Sequence, residues 1–530
     1  MFTDRRGGEL NVSDCFPRHE IVPLLDKQVA LIYVDELSAD RKFVFYRDHA
    51  WKRQLTGDHR ISESEIDQQE EYREQVLNAR ELLPIEGISA DSLDLDKLNE
   101  YIATLNQPTK VETLKPDLES ALPFLVRKGF VKEGKVTTLG MLVCGKFPGD
   151  YLQFRAQVHC YVDVPNEIAR DKQDLCDNIL PLMTKSLAYL LRNTQVGISS
   201  AAGGTSVSQY PEQLLRETVN NALAHRDYCI NRQVIVAVKP NQHIAIQNPG
   251  VFRKHLLVEA NEPVPIRRIK PEAKARNPRL ADVLRVFRKW EGRGIGMATL
   301  VDICLADQID VPFYRFQSDE VTLHLRCGRL LDQRTHRLFQ SFDGYIEQKM
   351  QGNPPTPQQQ LVLAYLLKSQ WLNETLGYTI LLTPDNNHFR ELRGLEMAGL
   401  IYKDAALSDA IYPIYLVDPV LTGRSYLADL RSLYGSAFDG INPFQKEVLG
   451  IVYRAHHFSK IHEVSAKQVA FDLWHYQENA LTDITAFDKF YRRVRSAFNR
   501  LLAEGYLKRT ESKRYILARA SSHLLPHSKH

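Results

Sequence analysis

The chain has 530 residues, 44% hydrophobic and 25% charged, with 25 scattered prolines, which exceeds one ordinary core and excludes a long disordered tract; three or four packed domains are expected. Net charge is only +3, but residues 443–530 carry 15 lysines and arginines against 8 acidic residues, an excess that favours a polyanionic partner such as DNA. No apolar run approaches the roughly 18 to 20 residues that span a bilayer, and the opening MFTDRRGGEL lacks a secretory core, so a cytoplasmic location with no membrane partner is expected.

Residues 20–60 alternate apolar and polar segments between turn formers and predict strands of a small mixed domain. Ser62 to Leu83 is Glu- and Gln-rich with helical spacing, and a boundary falls near residue 90. Gly140 to Phe147 approaches a P-loop, but Phe147 replaces the Ser or Thr that binds Mg²⁺ and the interior is apolar, which predicts a buried strand instead. The seven cysteines show no C-x-x-C pair and read as buried small hydrophobes, with no disulfide framework or zinc site.

One pattern occurs three times, around Gly129, Gly399 and Gly505: the last turn of an amphipathic helix, a glycine, and an apolar pair that starts a strand. The second and third copies continue as strand, polar turn, strand, which is how a winged helix leaves its third helix. A generic helix-to-strand turn has the same shape, and for the first copy both readings stand. In the third copy, Phe490, Tyr491, Val494, Phe498 and Leu501 share one helical face. Arg492, Arg493, Arg495, Asn499 and Arg500 lie elsewhere on that helix, and the following turn adds Lys508, Arg509, Lys513 and Arg514. Such side chains hold phosphates and read base edges, so these nine are the candidate DNA-binding residues; a helix solubilised by arginines shows the same pattern.

The chemistry lies between residues 205 and 326. Tyr210 to Tyr228 predicts a helix with an apolar stripe through Leu214, Leu215, Val219, Ala222 and Leu223. Glu217 and Asn221 are four apart and therefore share a face, where a carboxylate and a carboxamide can hold Mg²⁺ and its waters beside a polyphosphate. Strands VIVAVK and HIAIQ follow, then Asn248-Pro249-Gly250, a basic stretch, and Gly292, Gly294 and Gly296 at alternate positions, where a backbone can donate amides to phosphate oxygens. His225 sits in H-R-D-Y without the partners of a kinase catalytic loop and is expected to cap or pack against the helix.

Together, R-E-x-x-x-N-A-x-x-H-R-D-Y, N-P-G, R-N-P and E-G-R-G-I-G-M resemble the GHKL-like (Bergerat) ATP-binding domain of bacterial Schlafen-related, AlbA-type transcriptional regulators. KFVFYRDHAWKRQLTGDHRIS resembles the second half of the Schlafen-like domain that precedes it, so the chain is expected to begin midway through that domain. The resemblance implies ATP and Mg²⁺ as cofactors. It makes Glu217 the water-orienting base and Asn221 the metal ligand, puts Asn248 and Gly250 at the adenine end, and wraps Gly292, Gly294 and Gly296 around the phosphates. Arg253 to Arg276 would be the flexible ATP lid, and Asn277 matches the R-N-P position without an assigned role. Gln247-Asn248-Pro249 stands where true GHKL ATPases carry an adenine-reading aspartate.

The expected fold is α+β and multidomain: a partial Schlafen-like α/β domain at 1–85, a helical or winged connector at 86–200, a GHKL-like α/β sandwich at 201–335, and winged helices at 336–430 and 431–530. The expected function is an ATP-binding, DNA-binding regulator, in transcription or phage defence, with a homodimer or protein partner in view. Whether ATP is hydrolysed stays open. The alternatives are an ATPase effector whose winged helices hold protein, and a scaffold with a degenerate nucleotide site.

Overall fold

The computed structural model describes residues 79–107, 112–164, 166–198, 206–262, 264–271, 275–287, 296–382, 388–409, 411–422, 426–474 and 484–518, with residues 2–3, 18–24, 27–33, 45–46, 49–54, 57–61 and 66 before them. The strands expected within 20–60 are present, including the antiparallel pair Arg18–Leu24 and Lys27–Tyr33. Most of the helix expected at Ser62 to Leu83 lies outside the described residues.

A nine-stranded mixed sheet organises the middle of the chain. Its strands are β1 (Gln157–Val162), β2 (Arg170–Cys176), β3 (Val234–Lys239), β4 (His243–Pro249), β5 (Leu257–Ala260), β6 (Ile266–Ile269), β7 (Phe313–Gln317), β8 (Glu320–Arg326) and β9 (Tyr378–Ile380), in spatial order β2-β1-β3-β4-β8-β7-β9-β6-β5. The β1/β3 and β6/β9 pairs are parallel and the rest antiparallel. In β1, Val158, Cys160 and Val162 are buried and alternate with half-buried residues, the period-2 signature of a strand with one packed face. Along the sheet runs a row of four helices: α1 (Ile179–Asn193), α2 (Glu212–His225), then α4 (Gly296–Ala306) and α5 (Pro357–Glu374), with α3 (Pro278–Val286) joined to the 79–145 region. Helix α5 starts where Thr356 and Gln359 form a reciprocal capping box ahead of Pro357. The apolar interior is continuous from Leu93 to Tyr426, and a second core spans Leu430 to Leu517.

All three repeated glycines take left-handed backbone, with φ of 76°, 69° and 82° at Gly129, Gly399 and Gly505. Each ends a helix and is followed by an antiparallel hairpin, in the last two cases Ile401–Lys403 with Tyr415–Val417 and Leu507–Arg509 with Tyr515–Leu517. The same local chemistry thus gives the same turn three times.

The P-loop-like stretch is a fully buried helix, Thr138–Cys144, rather than the expected strand. Thr137 caps it by accepting the Gly140 amide at 3.1 Å, and a Cβ on Gly140 would stand 2.3 Å from the Phe130 carbonyl oxygen, so glycine serves close packing here and not phosphate. Cys144, Cys160 and Cys304 are buried as expected, but Cys176 and Cys229 are exposed; Cys15 lies outside the described residues. No helix among the described residues is long and apolar enough to cross a membrane.

Gly140→Ala must move backbone and should cost about 2 kcal/mol or more, whereas Gly505→Ala meets open space and pays only left-handed strain of about 1 kcal/mol. Urea denaturation that ranks them the other way would contradict this packing.

Candidate functional site

Helix α2 brings its apolar stripe inward: Leu214, Leu215, Val219 and Leu223 are buried, while Ala222 is half-buried at the wall of a pocket. Glu217 and Asn221 fall on one face as expected. The start of α4 lies directly over them, since a Cβ on Gly296 would come within 2.5 Å of Glu217 Oε1 and 2.8 Å of Asn221 Oδ1. A side chain at position 296 would have to displace the polar ends of both residues. The fold therefore unites Glu217, Asn221 and Gly296 across 75 residues of chain; Gly292 and Gly294 lie outside the described residues. Burial first, then the charge of Glu217, pushes the Tyr314 phenol upward, which sets the carboxylate beside the pocket's inner wall.

The pocket is open at its mouth and its cavity volume is about 110 Å³. Its walls are apolar where Ile246, Phe252, Leu256, Met297, Tyr314 and Leu323 meet, and Phe252 stands edge-on to Tyr314 at 5.3 Å. Asn248 closes one side, opposite Val321 in the ladder, and its Nδ2 donates to the Ala222 carbonyl at 2.9 Å. Among the described residues, two side-chain atoms of this pocket are buried with no hydrogen-bond partner: the donor Asn221 Nδ2 and the acceptor Asn248 Oδ1.

What holds this arrangement is a junction that the sequence reading quoted but did not explain. At the end of α2, the fully buried Arg226 turns its guanidinium onto the carbonyls of Arg155, Ile230 and Arg232. Burial lowers its pKa to about 10, so it remains charged at neutral pH. Asp227 receives Arg276 at 3.2 Å and Arg80 at 3.5 Å, and its amide donates to the Pro249 carbonyl at 2.9 Å. Gly250, at φ +116°, fits between Asp227 and Arg276, where a Cβ would lie 3.1 Å from the Asp227 Cβ. Asn277 now has a role: its Nδ2 donates at 2.8 Å to both the Ala224 and Arg226 carbonyls and so closes the C-terminus of α2. H-R-D-Y, N-P-G and R-N-P are three sides of one joint.

His225 lines the pocket and its Nδ1 accepts the Arg276 amide at 3.4 Å. Burial, then the charges of Arg276 and Arg253, lowers its pKa from 6.5 to about 4. Glu81 caps α3 from the preceding segment, accepting the Arg279 amide at 3.0 Å, and burial raises its pKa to about 7.

The expected lid is a correction. After the short turn Lys254–Leu256, the stretch forms the hairpin β5–β6 inside the sheet, with Arg267 and Arg268 buried against Asn373 of α5. The resemblance implies a flexible lid here, but Ile266, Ile269 and Val258 supply the apolar positions of a strand pair.

In the C-terminal unit, α6 (Pro443–Phe458), α7 (Ala466–Trp474) and α8 (Ile484–Ala503) enclose the second core. Phe490, Val494, Phe498 and Leu501 are buried and Tyr491 is half-buried, as the spacing predicts. Arg492, Arg495, Asn499, Arg500, Lys508, Arg509 and Lys513 are exposed. Arg493 is exposed too but lies over the Phe444 ring at 4.0 Å, and Arg514 is half-buried in the hairpin.

With this geometry in place, the comparisons fall into order. A family model described as "Putative ATP-dependent DNA helicase recG C-terminal" matches residues 231–325. That segment is similar to an ATPase-like domain. It runs from β3 through β8 and contains Asn248, Gly250 and Gly296, while Glu217 and Asn221 precede it on α2. Among solved structures, the DIP2311 protein from Corynebacterium diphtheriae aligns with 17% identity over 77% of each chain at a TM-score of 0.39, an overlap that defines no shared fold. No curated protein matches the chain.

The two shifted groups oppose each other in acid. His225 binds a proton more readily unfolded, so its contribution to stability falls as pH drops from about 6.5 to about 4; Glu81 binds one more readily folded, so its contribution is present below about 4.5 and is lost as pH rises through about 7. His225→Gln should therefore show stability declining from pH 4.5 to 7 relative to the parent, and Glu81→Gln the reverse. Parallel denaturation curves for parent and both variants across that range would refute the assignment.

Proposed function

We propose that the central pocket binds ATP with Mg²⁺ and that the basic C-terminal unit binds DNA, making the chain a nucleotide-dependent regulator of DNA contacts in transcription or phage defence. The observation that carries the first half is the pair of buried, unpartnered atoms in one apolar pocket. Leaving such atoms unsatisfied costs about 1–3 kcal/mol each, and a nucleotide supplies partners for both. Because Asn248 Nδ2 is committed to the Ala222 carbonyl, Oδ1 is left as an acceptor for an N–H such as the adenine amino group, the part an aspartate plays in GHKL ATPases. Asn221 Nδ2 suits a phosphate oxygen and its Oδ1 a metal ion. One carboxylamide and one carboxylate with phosphate oxygens and waters form a reasonable Mg²⁺ set. The metal would neutralise phosphate charge, and Glu217 would orient the attacking water if hydrolysis occurs.

The second half rests on the exposed cations of α8 and its hairpin. In this reading the helix–glycine–hairpin units ending at Val417 and Leu517 are winged helices, and residues 1–85 are a Schlafen-like segment ahead of the nucleotide domain at 201–335. A homodimer or protein partner remains part of the proposal.

Calorimetry tests the pocket: Mg-ATP should bind the parent, Asn221→Ala should weaken binding tenfold or more, about 1.4 kcal/mol, and Glu217→Ala should keep binding while losing any turnover. Absence of binding by the parent would leave a scaffold with a degenerate site. For DNA, replacing Arg492, Arg495 and Arg500 with alanine should lower affinity for duplex DNA and reduce the salt slope by up to about 3; an unchanged slope would remove α8 from the interface. ATP that alters neither DNA affinity nor oligomeric state would contradict the regulatory link.

A further inference from the structure

We infer that the hairpin β5–β6 is a strut that couples the pocket to the helix–glycine–hairpin unit at residues 357–417, so that occupancy of the pocket changes how that unit is seated on the sheet. The coupling rests on the nucleotide reading of the pocket. At one end, Arg253 and Leu256 line the pocket immediately before β5, and the Leu256 carbonyl accepts the Lys270 amide at 2.8 Å, locking the base of the hairpin to the pocket wall. At the other end, Val258 and Ile266 share a small separate core with Leu381, Ile414 and Leu416, and Lys270 pairs with Asp409 at 2.8 Å. No other strand pair in the sheet joins the hairpin to the rest except β6 with β9, and that seam is two residues long, Arg268 beside Thr379 and Ile269 beside Ile380.

The seam also buries a guanidinium. Arg268 is 3% exposed, its Nη2 has no partner, and its Nη1 shares the Asn373 carboxamide with the Arg267 amide, which donates to the same oxygen at 3.0 Å. Among the described residues Arg268 has no carboxylate partner. A buried guanidinium held by the Asn373 carboxamide and the Arg267 carbonyl, with no carboxylate, disfavours the closed seam, and the inferred coupling is a shift of that seam by a bias from the pocket wall. A ligand against Leu256 and Arg253 supplies that bias.

Hydrogen–deuterium exchange on the full chain, with and without saturating Mg-ATP, reads the coupling. Exchange at residues 378–382 and 412–417 should change by about threefold or more on binding, and Asn373→Ala, outside the pocket, should bind Mg-ATP yet lose that change. Protection confined to residues 246–256, with no change at 378–382, would overturn the strut. Should Asn373→Ala fail to fold, Leu256→Ala without nucleotide must shift exchange at 378–382 through the same hairpin; an unaltered rate there overturns the coupling whatever the pocket binds. If calorimetry detects no Mg-ATP binding and Leu256→Ala still shifts the seam, the strut stands and the nucleotide reading falls.

Discussion

Arg226 is a fully buried guanidinium, and a buried charge must be compensated by hydrogen bonds. The backbone carbonyls of Phe154, Arg155, Ile230 and Arg232 accept from its two Nη atoms, which ties the end of α2 and the turn after it to the Phe154–Arg155 segment, while Nε has no partner among the described residues. Because Asp227 follows directly, its carboxylate is delivered to Arg276 and its amide to Pro249, so the wall carrying Asn248 cannot shift without disturbing the same joint. In the proposed reading this joint holds Asn248 Oδ1 in place for a ligand, a form of preorganisation that lowers the ordering cost of binding.

Local chemistry was legible in the sequence wherever one rule decided the outcome. The i, i+4 spacing placed Glu217 and Asn221 together, the period of α8 named its buried face, and three glycines took the left-handed turn that their helix ends require. The meeting of Gly296 with Glu217 was legible only as a motif, since nothing local says that residues 79 apart approach to within a methyl group of contact.

Other features were hidden because tertiary context overrode local signals. The run from Arg253 to Arg276 reads by resemblance as a flexible lid, yet Arg267 and Arg268 within it are buried against Asn373, a residue more than 100 positions away. The apolar run from Gly140 to Phe147 reads as a buried strand, but Thr138–Cys144 is a buried helix, and Gly140 lets it rest on the Phe130 backbone. Strand β9, which completes the sheet beside the hairpin, comes from beyond residue 335, so the sheet draws on chain outside the segment expected to form the nucleotide domain. That shared sheet gives the central pocket a physical route toward the later units, whereas the C-terminal unit keeps a core of its own.

The most direct test of the central claim is a crystal structure of the chain with Mg²⁺ and a non-hydrolysable ATP analogue. The account predicts the base amino group within about 3.2 Å of Asn248 Oδ1, with Asn221 engaging the metal or a phosphate oxygen beneath Gly296. A nucleotide bound elsewhere, or a pocket in which Asn221 Nδ2 and Asn248 Oδ1 still lack partners at saturating ligand, would contradict it.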